Sequence, residues 1–238
     1  MTLQVCLIGK DGFVLASDTR GAWVAPHEDT ELYTTDKIFL NERECAVWCS
    51  SGHHASRWVC EALEIMLEQR GPDGDQRTCK VLGDCVRDAA IKVRSRLSIE
   101  EQQCAPGSIL LAFSRGGLPE GLRFDLAWIR TPGEWGIGNS VRFKDKMSIG
   151  ARGCSAPFIF KRYYSPDSSQ EEMLRIAAHT VLMGHKIDPA TIDGLETVVC
   201  SRGRLRILSE NELAELRKFS EQIDEQIRYK FIEPSASP

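Results

Sequence analysis

The sequence predicts an α+β fold in which helices pack over sheets, within a single domain. Three observations point there. Strand-like apolar runs come in blocks and helical periodicity comes in separate blocks, so the two do not alternate one-for-one as a doubly wound parallel sheet requires. No Pro-, Gly- or Ser-rich linker divides the 238 residues. The composition, 42% hydrophobic and 27% charged, is that of a globular chain able to bury a sizeable core.

The elements follow in order. Leu3 to Ile8 and Phe13 to Ala16 are apolar runs, and Gly9-Lys10-Asp11-Gly12 between them is a strong hairpin signal. Cys45 to Trp48 is a further buried-strand candidate. From Ala55 to Arg70, Trp58, Val59, Ala62, Leu63 and Met66 recur at helical spacing, and Gly71-Pro72 stops the helix. A second amphipathic helix is expected from about Thr78 to Leu97, with Val81, Cys85, Ala89 and Val93 on one face. Strands return at Ser108 to Ser114, Leu122 to Ile129 and Val141 to Ile149. Ser169-Gln170-Glu171-Glu172 matches the capping box that opens a helix, continued by Met173, Ile176, Ala177, Val181 and Gly184. Leu195 to Cys200 and Leu205 to Leu208 flank the Arg202-Gly203 turn as two strands. A second capping box, Ser209 to Glu212, opens a charged helix ending near Arg228. The tail from 233 to 238 reads as disordered.

Charge and cysteine usage narrow the function classes. Thirty Lys and Arg against thirty-four Asp and Glu leave a formal charge of −4, which argues against a broad nucleic-acid footprint. No apolar run approaches the roughly 18 residues of a membrane span. No basic stretch leads into an apolar core at the start, so the expectation is a cytoplasmic protein without a signal peptide. The nine cysteines form no C-x-x-C pair, and most sit in apolar surroundings as small hydrophobes. Cys45, Cys49, His53 and His54 cluster in sequence, but no second ligand pair at a zinc-site spacing follows, so neither metal nor cofactor is expected.

Chemistry can begin at Thr2. Removal of Met1 would leave a free α-amine and a hydroxyl on adjacent carbons, a self-contained base and nucleophile. The amine's ordinary pKa, about 7.7–8.0, keeps a useful fraction unprotonated at neutral pH. If the hairpin turns near Lys10-Asp11, opposed residues have numbers summing to about 21, which sets Leu3 against Asp18 and brings that carboxylate beside Thr2. Lys37, opening the apolar stretch Lys37-Ile38-Phe39, can be aimed inward to hold the hydroxyl and pair with Asp18. Ser51-Gly52 ends a strand and enters a helix, where a glycine amide can donate to an oxyanion.

These signals share one order and one neighbourhood, and together they resemble a known family. The run from Leu7 to Arg20, Leu-Ile-Gly-Lys-Asp-Gly-Phe-Val-Leu-Ala-Ser-Asp-Thr-Arg, closely resembles the opening of proteasome β-type subunits. Asp36-Lys37-Ile38-Phe39 looks like their lysine motif, and Ser51-Gly52 like their small-residue-Gly turn. Ile149-Gly150-Ala151-Arg152-Gly153, the Tyr-Tyr-Ser-Pro-Asp of residues 163–167 and the turn from Asp188 to Gly194 are looser matches. The resemblance runs from residue 2 to about 210 and is closest in type to the simple bacterial relatives, the heat-shock peptidase and the so-called ancestral β subunit.

The resemblance implies an N-terminal-nucleophile hydrolase: a four-layer αββα sandwich over residues 2–210, with a helix over 209–228 packed on it. It implies Thr2 as nucleophile, Asp18 and Lys37 as the charge pair that tunes it, and the Gly52 amide as oxyanion donor. Asp188 with Thr191 would hold the terminus. Where the family carries a serine that relays the proton, this chain reads Gly-Ala-Arg-Gly, so either Ser155 substitutes after a small insertion or that serine is missing. Ser50, His54 and Ala22 would flank the substrate. The implied activity is threonine-type hydrolysis of peptides or unfolded proteins inside a homo-oligomeric ring. With no P-loop in the chain, any ATP-driven unfoldase is a separate partner. Two alternatives share the fold: a catalytically silent ring subunit or scaffold, and an amidase for small molecules.

Overall fold

The computed structural model describes residues 2–23, 31–69, 79–104, 106–129, 134–150 and 156–232. The architecture is α+β, and among the described residues it comprises three antiparallel sheets and six helices. The first sheet contains β1 (Leu3–Gly9), β2 (Gly12–Ser17), β10 (Lys146–Gly150), β11 (Glu196–Ser201) and β12 (Arg204–Ile207), in the order β10-β1-β2-β11-β12. A two-stranded ribbon joins β3 (Arg20–Trp23) to β4 (Glu31–Thr34). The remaining sheet runs in sequence order through β5 (Phe39–Asn41), β6 (Ala46–Gly52), β7 (Gly107–Arg115), β8 (Leu118–Ile129) and β9 (Glu134–Phe143). The helices are α1 (His54–Gln69), α2 (Cys79–Arg94), α3 (Ile99–Cys104), α4 (Ala156–Tyr163), α5 (Gln170–Ile187) and α6 (Glu210–Ile232).

Strands β1 and β2 are buried along their whole length. Their sequences are continuous apolar runs because both faces of the sheet are covered. Leu3, Val5 and Leu7 face one way, packing with Met173, Ala177 and Val181 of α5. Cys6 and Ile8 face the other, packing with Val47, Cys49, Leu110 and Ala112 of the β6–β7 sheet. The opposite face of that second sheet presents Trp48, Ile109 and Leu111 to Val59, Leu63 and Leu67 of α1 and to Leu82, Val86 and Ala89 of α2. Burying each such side chain is worth about 1.5–3 kcal/mol. Trp48 is fully buried, and its indole N–H donates to the Cys60 carbonyl at 3.1 Å, so burial leaves no orphaned donor.

The two capping boxes form. Ser169 accepts from Glu172 N while Glu172 accepts from Ser169 N. The same reciprocal pattern joins Ser209 and Glu212 at the entrance of α6. Helix α6 reaches Ile232, one turn beyond the expected end near Arg228, and packs on α5 through Leu213 and Leu216. Lys186 of α5 also pairs with Asp224. One expectation is corrected. The stretch from Val141 to Ile149 is not one strand: β9 ends at Phe143, and after a bend at Lys144-Asp145 the chain joins the other sheet as β10. The bend is held by Ile8 N and the Tyr164 hydroxyl, which both donate to the Asp145 carbonyl. The helix stop expected at Gly71-Pro72 and the disorder expected at 233–238 fall outside the described residues. Among the described residues no helix is long and apolar enough to cross a membrane.

Candidate active site

The hairpin register places the first carboxylate. Gln4 pairs with Ser17 and Val5 with Ala16, so paired numbers sum to 21 as expected. One residue further out, Asp18 N donates to the Leu3 carbonyl at 3.2 Å, and Leu3 N donates to Asp18 Oδ1 at 2.8 Å. The carboxylate thereby clamps the chain directly after Thr2. Its other oxygen, Oδ2, accepts from Lys37 Nζ at 2.6 Å, and the same ammonium donates to Thr2 Oγ1 at 3.0 Å. Lys37 thus bridges nucleophile candidate and carboxylate. Asp18 is fully buried, Lys37 nearly so, and Thr2 half-buried.

Burial raises the Asp18 carboxyl above its ordinary value and lowers the Lys37 ammonium below its own; their mutual attraction and hydrogen bond oppose both shifts. Each group is therefore poised closer to proton exchange than in water. An ammonium donating to Thr2 Oγ1 also favours the alkoxide, which lowers the hydroxyl pKa.

Glu196 is the residue that sequence reasoning missed. It sits at the start of β11, and its Oε2 accepts from Lys37 N at 2.8 Å and Ile38 N at 3.2 Å. It thereby fixes the backbone that projects Lys37. Burial raises the Glu196 carboxyl despite these two donors. A lone Glu heading the apolar run Thr197-Val198-Val199-Cys200 is the one signal in the sequence, and it does not name its partner.

Thr2, Lys37, Ser50, Gly52 and His54 together line one cavity of about 850 Å³. Gly52 and Gly150 close its walls in backbone conformations that favour glycine, at φ +100° and +102°. A Cβ on Gly150 would lie 1.7 Å from the Thr2 carbonyl oxygen, so this contact requires glycine too. His53 heads α1, with Nδ1 accepting from Ala55 N at 3.3 Å. The His54 ring packs against it with the planes tilted by 40°, and its Nε2 lies 3.8 Å from Glu101. Burial, and then the neighbouring His54, push the His53 imidazole below its ordinary value. On the β7–β8 wall, Ser108 and Arg123 both donate to Asp125.

The other expected site residues fall elsewhere. Asp188 ends α5, with its N–H donating to the Gly184 carbonyl, and its carboxylate accepts from the Thr191 hydroxyl. Neither residue lines the cavity. The turn instead reaches the site region through Asp193. The Asp193 carbonyl accepts from Thr19 N at 2.8 Å and Arg20 N at 3.2 Å, and its carboxylate pairs with Arg20. Ala22 contributes backbone to the β3–β4 ribbon, opposite Leu32. Ser155 and the Ala151-Arg152-Gly153 run lie outside the described residues. The Cys45, Cys49, His53, His54 group is divided: the two thiols face the inter-sheet core, and the two imidazoles line the cavity.

No protein-family model matches the chain, and no curated protein matches it. Solved structures do. Anbu from Pseudomonas aeruginosa, determined as a helical assembly, aligns with a TM-score of 0.72 at 17% identity, covering 99% of this chain and 100% of that one. Anbu, the ancestral beta-subunit, from Yersinia bercovieri aligns with a TM-score of 0.70 at 15% identity over 99% of each chain. A Gly-1 mutant of Anbu from Hyphomicrobium sp. strain MC1 aligns with a TM-score of 0.69 at 17% identity over 100% of each chain. These identities carry the fold alone. The resemblance to proteasome β-type subunits is corrected accordingly: these neighbours bear the name Anbu, one of them as the ancestral beta-subunit, and none of these three is named a proteasome β-type subunit. The chain has the fold of the Anbu structures.

Proposed function

We propose that this protein is a threonine-type peptide hydrolase whose nucleophile is Thr2, exposed by cleavage of the Met1–Thr2 bond. The observation that carries the reading is the bridge of Lys37 Nζ between Thr2 Oγ1 and Asp18 Oδ2 at the wall of an open cavity. In the proposed reaction the freed α-amine takes the Thr2 hydroxyl proton, and Oγ1 attacks the substrate carbonyl. Lys37 stabilises the developing charge on Oγ1, and an amide at Gly52 receives the oxyanion. The protonated amine then delivers its proton to the leaving amine, giving an ester on Thr2. Water attacks that ester by the same relay, releasing the acid and restoring the hydroxyl. General-base assistance of this kind gives about 10²–10⁴ in rate, and one oxyanion donor about 10²–10³.

Self-association is part of the proposal. The Pseudomonas aeruginosa neighbour forms a helical assembly, which supports a multimer of like subunits. The test is intact mass before and after exposure to a peptide epoxyketone, which joins both the hydroxyl and the amine of an N-terminal threonine. One adduct per chain on protein lacking Met1, absent from Thr2→Ala, is the expected result. Retained Met1 together with no adduct overturns the hydrolase reading. Light scattering of the same sample checks the multimer: a monomer refutes it.

A further inference from the structure

Among the described residues six buried cysteines form no disulfide, and two of them differ from the rest. Cys45 and Cys200 bring their sulfurs within 3.3 Å, across 155 residues of sequence. They come from different sheets. Cys45 directly precedes β6, and Cys200 lies in β11, both inside the inter-sheet core. Both backbones are pinned. Cys45 has φ 48°, its N donates to the Glu42 carbonyl at 3.1 Å, and its carbonyl accepts from Ser114 N at 3.0 Å. Cys200 is paired on both sides, with Phe13 and with Leu205, and its carbonyl accepts from Gln170 Nε2 at 2.7 Å. Thermal motion therefore cannot easily separate the two sulfurs.

Their chemistry is asymmetric. Either sulfur can donate in their shared hydrogen bond; with Cys200 as donor, the Cys45 thiol is held below its ordinary pKa and that of Cys200 is raised. Cys6 and Cys49, in the same inter-sheet core, are pushed up by burial instead. Cys45 also keeps 7% exposure while Cys200 has none, so a small oxidant reaches Cys45 first. The pair sits at the opposite end of β6 from Gly52. Ser50, the β6 residue on the cavity nearest to the pair, is five residues from Cys45, about 16 Å at roughly 3.3 Å each, so the pair serves no step at Thr2.

We propose that Cys45 and Cys200 form an oxidant-responsive dithiol that hydrogen peroxide closes into a covalent clamp between the two sheets. The Cys45 thiolate attacks one peroxide oxygen, and the O–O bond breaks. Hydroxide leaves and is protonated to water, and Cys45 becomes a sulfenic acid. The Cys200 sulfur then attacks the Cys45 sulfur and expels hydroxide, which takes the Cys200 proton as a second water. One peroxide is reduced to two waters, and two thiols are oxidised to one disulfide. Closure to the usual S–S length of about 2.05 Å needs a shift of roughly 1.2 Å.

The experiment treats the full chain with limiting hydrogen peroxide, quenches it, alkylates the remaining thiols under denaturing conditions and maps peptides without reduction. The expected result is a Cys45 peptide joined to a Cys200 peptide, with Cys6, Cys49 and Cys60 alkylated. The oxidised protein should also melt at a higher temperature, and dithiothreitol should abolish both the link and the gain. In Cys200→Ser, and in Cys200→Ala as a second variant, Cys45 should stop at the sulfenic or sulfinic acid. Recovery of both Cys45 and Cys200 as alkylated thiols overturns the proposal. So does a Cys45 sulfinic acid beside a free Cys200 in the unmutated protein.

Discussion

Lys37→Met removes the bridging ammonium while keeping most of the side-chain volume. Its consequence follows from burial. The Asp18 side chain has no exposure and that of Lys37 8%, so the variant leaves an ionised carboxylate with no opposing charge and no water. Leu3 N still donates to Oδ1, but Oδ2 loses its donor. Breaking one side of such a buried pair costs about 3–5 kcal/mol. A chain of this size shifts its melting temperature by about 2–4 °C per kcal/mol, so the expected loss at pH 7 is roughly 6–20 °C. Against typical stabilities of about 5–15 kcal/mol, the variant stays folded wherever the wild type exceeds the low end of that range. The pH dependence has a definite sign. Burial raises Asp18, and without Lys37 nothing charged opposes it. A carboxyl whose folded value lies above its unfolded value, near 3.9, stabilises fully below that unfolded value and loses the contribution as pH rises through the folded value. The gap between variant and wild type should therefore narrow on going from pH 7 to pH 5. Scanning calorimetry at the two pH values measures it. A loss under 2 °C at pH 7, or a gap that widens at pH 5, refutes the reasoning. Adding Asp18→Asn should recover most of the lost melting temperature without restoring the proposed peptide hydrolysis, since a neutral pair removes the orphan charge but not the proposed role of the ammonium.

Other substitutions test the same geometry. Gly52→Ala places a Cβ 2.5 Å from the Pro106 carbonyl oxygen at φ +100°; with a left-handed cost of about 1–2 kcal/mol, thermal melting should fall by several degrees and peptide hydrolysis more steeply than folding explains. Glu196→Ala orphans the amides of Lys37 and Ile38 and should cost about 1–3 kcal/mol in denaturant titration, whereas Glu196→Gln, which still offers an acceptor oxygen, should cost less. Leu63→Ala empties a fully buried position between α1 and the β6–β7 sheet and should destabilise by about 2–5 kcal/mol in the same titration, leaving the rate per folded molecule unchanged.

The features legible in the chain alone are local ones. The turn at Lys10-Asp11 specifies a register, and register alone delivers Asp18 to the residue after Thr2, because one slip would turn every side chain to the other face. The capping box at Ser169–Glu172 and the apolar spacing of Val59 and Leu63 name a helix start and a buried stripe for the same reason: the deciding contacts lie within four residues. Lys37 was legible through its short motif. Its anchor was not, since Glu196 lies 159 residues away and nothing in the spacing joins them. A turn at 188–194 is legible from its residue types, but which of its carboxylates meets Arg20 is decided by the tertiary structure, and it is Asp193. The crossing at Lys144-Asp145 was hidden because strands in either sheet have the same period, so alternation cannot say when the chain changes sheet. Periodicity identifies which face of an element is buried; only the stacking of the two sheets decides against what, and that stacking brings Lys37 to Thr2 and Cys45 to Cys200.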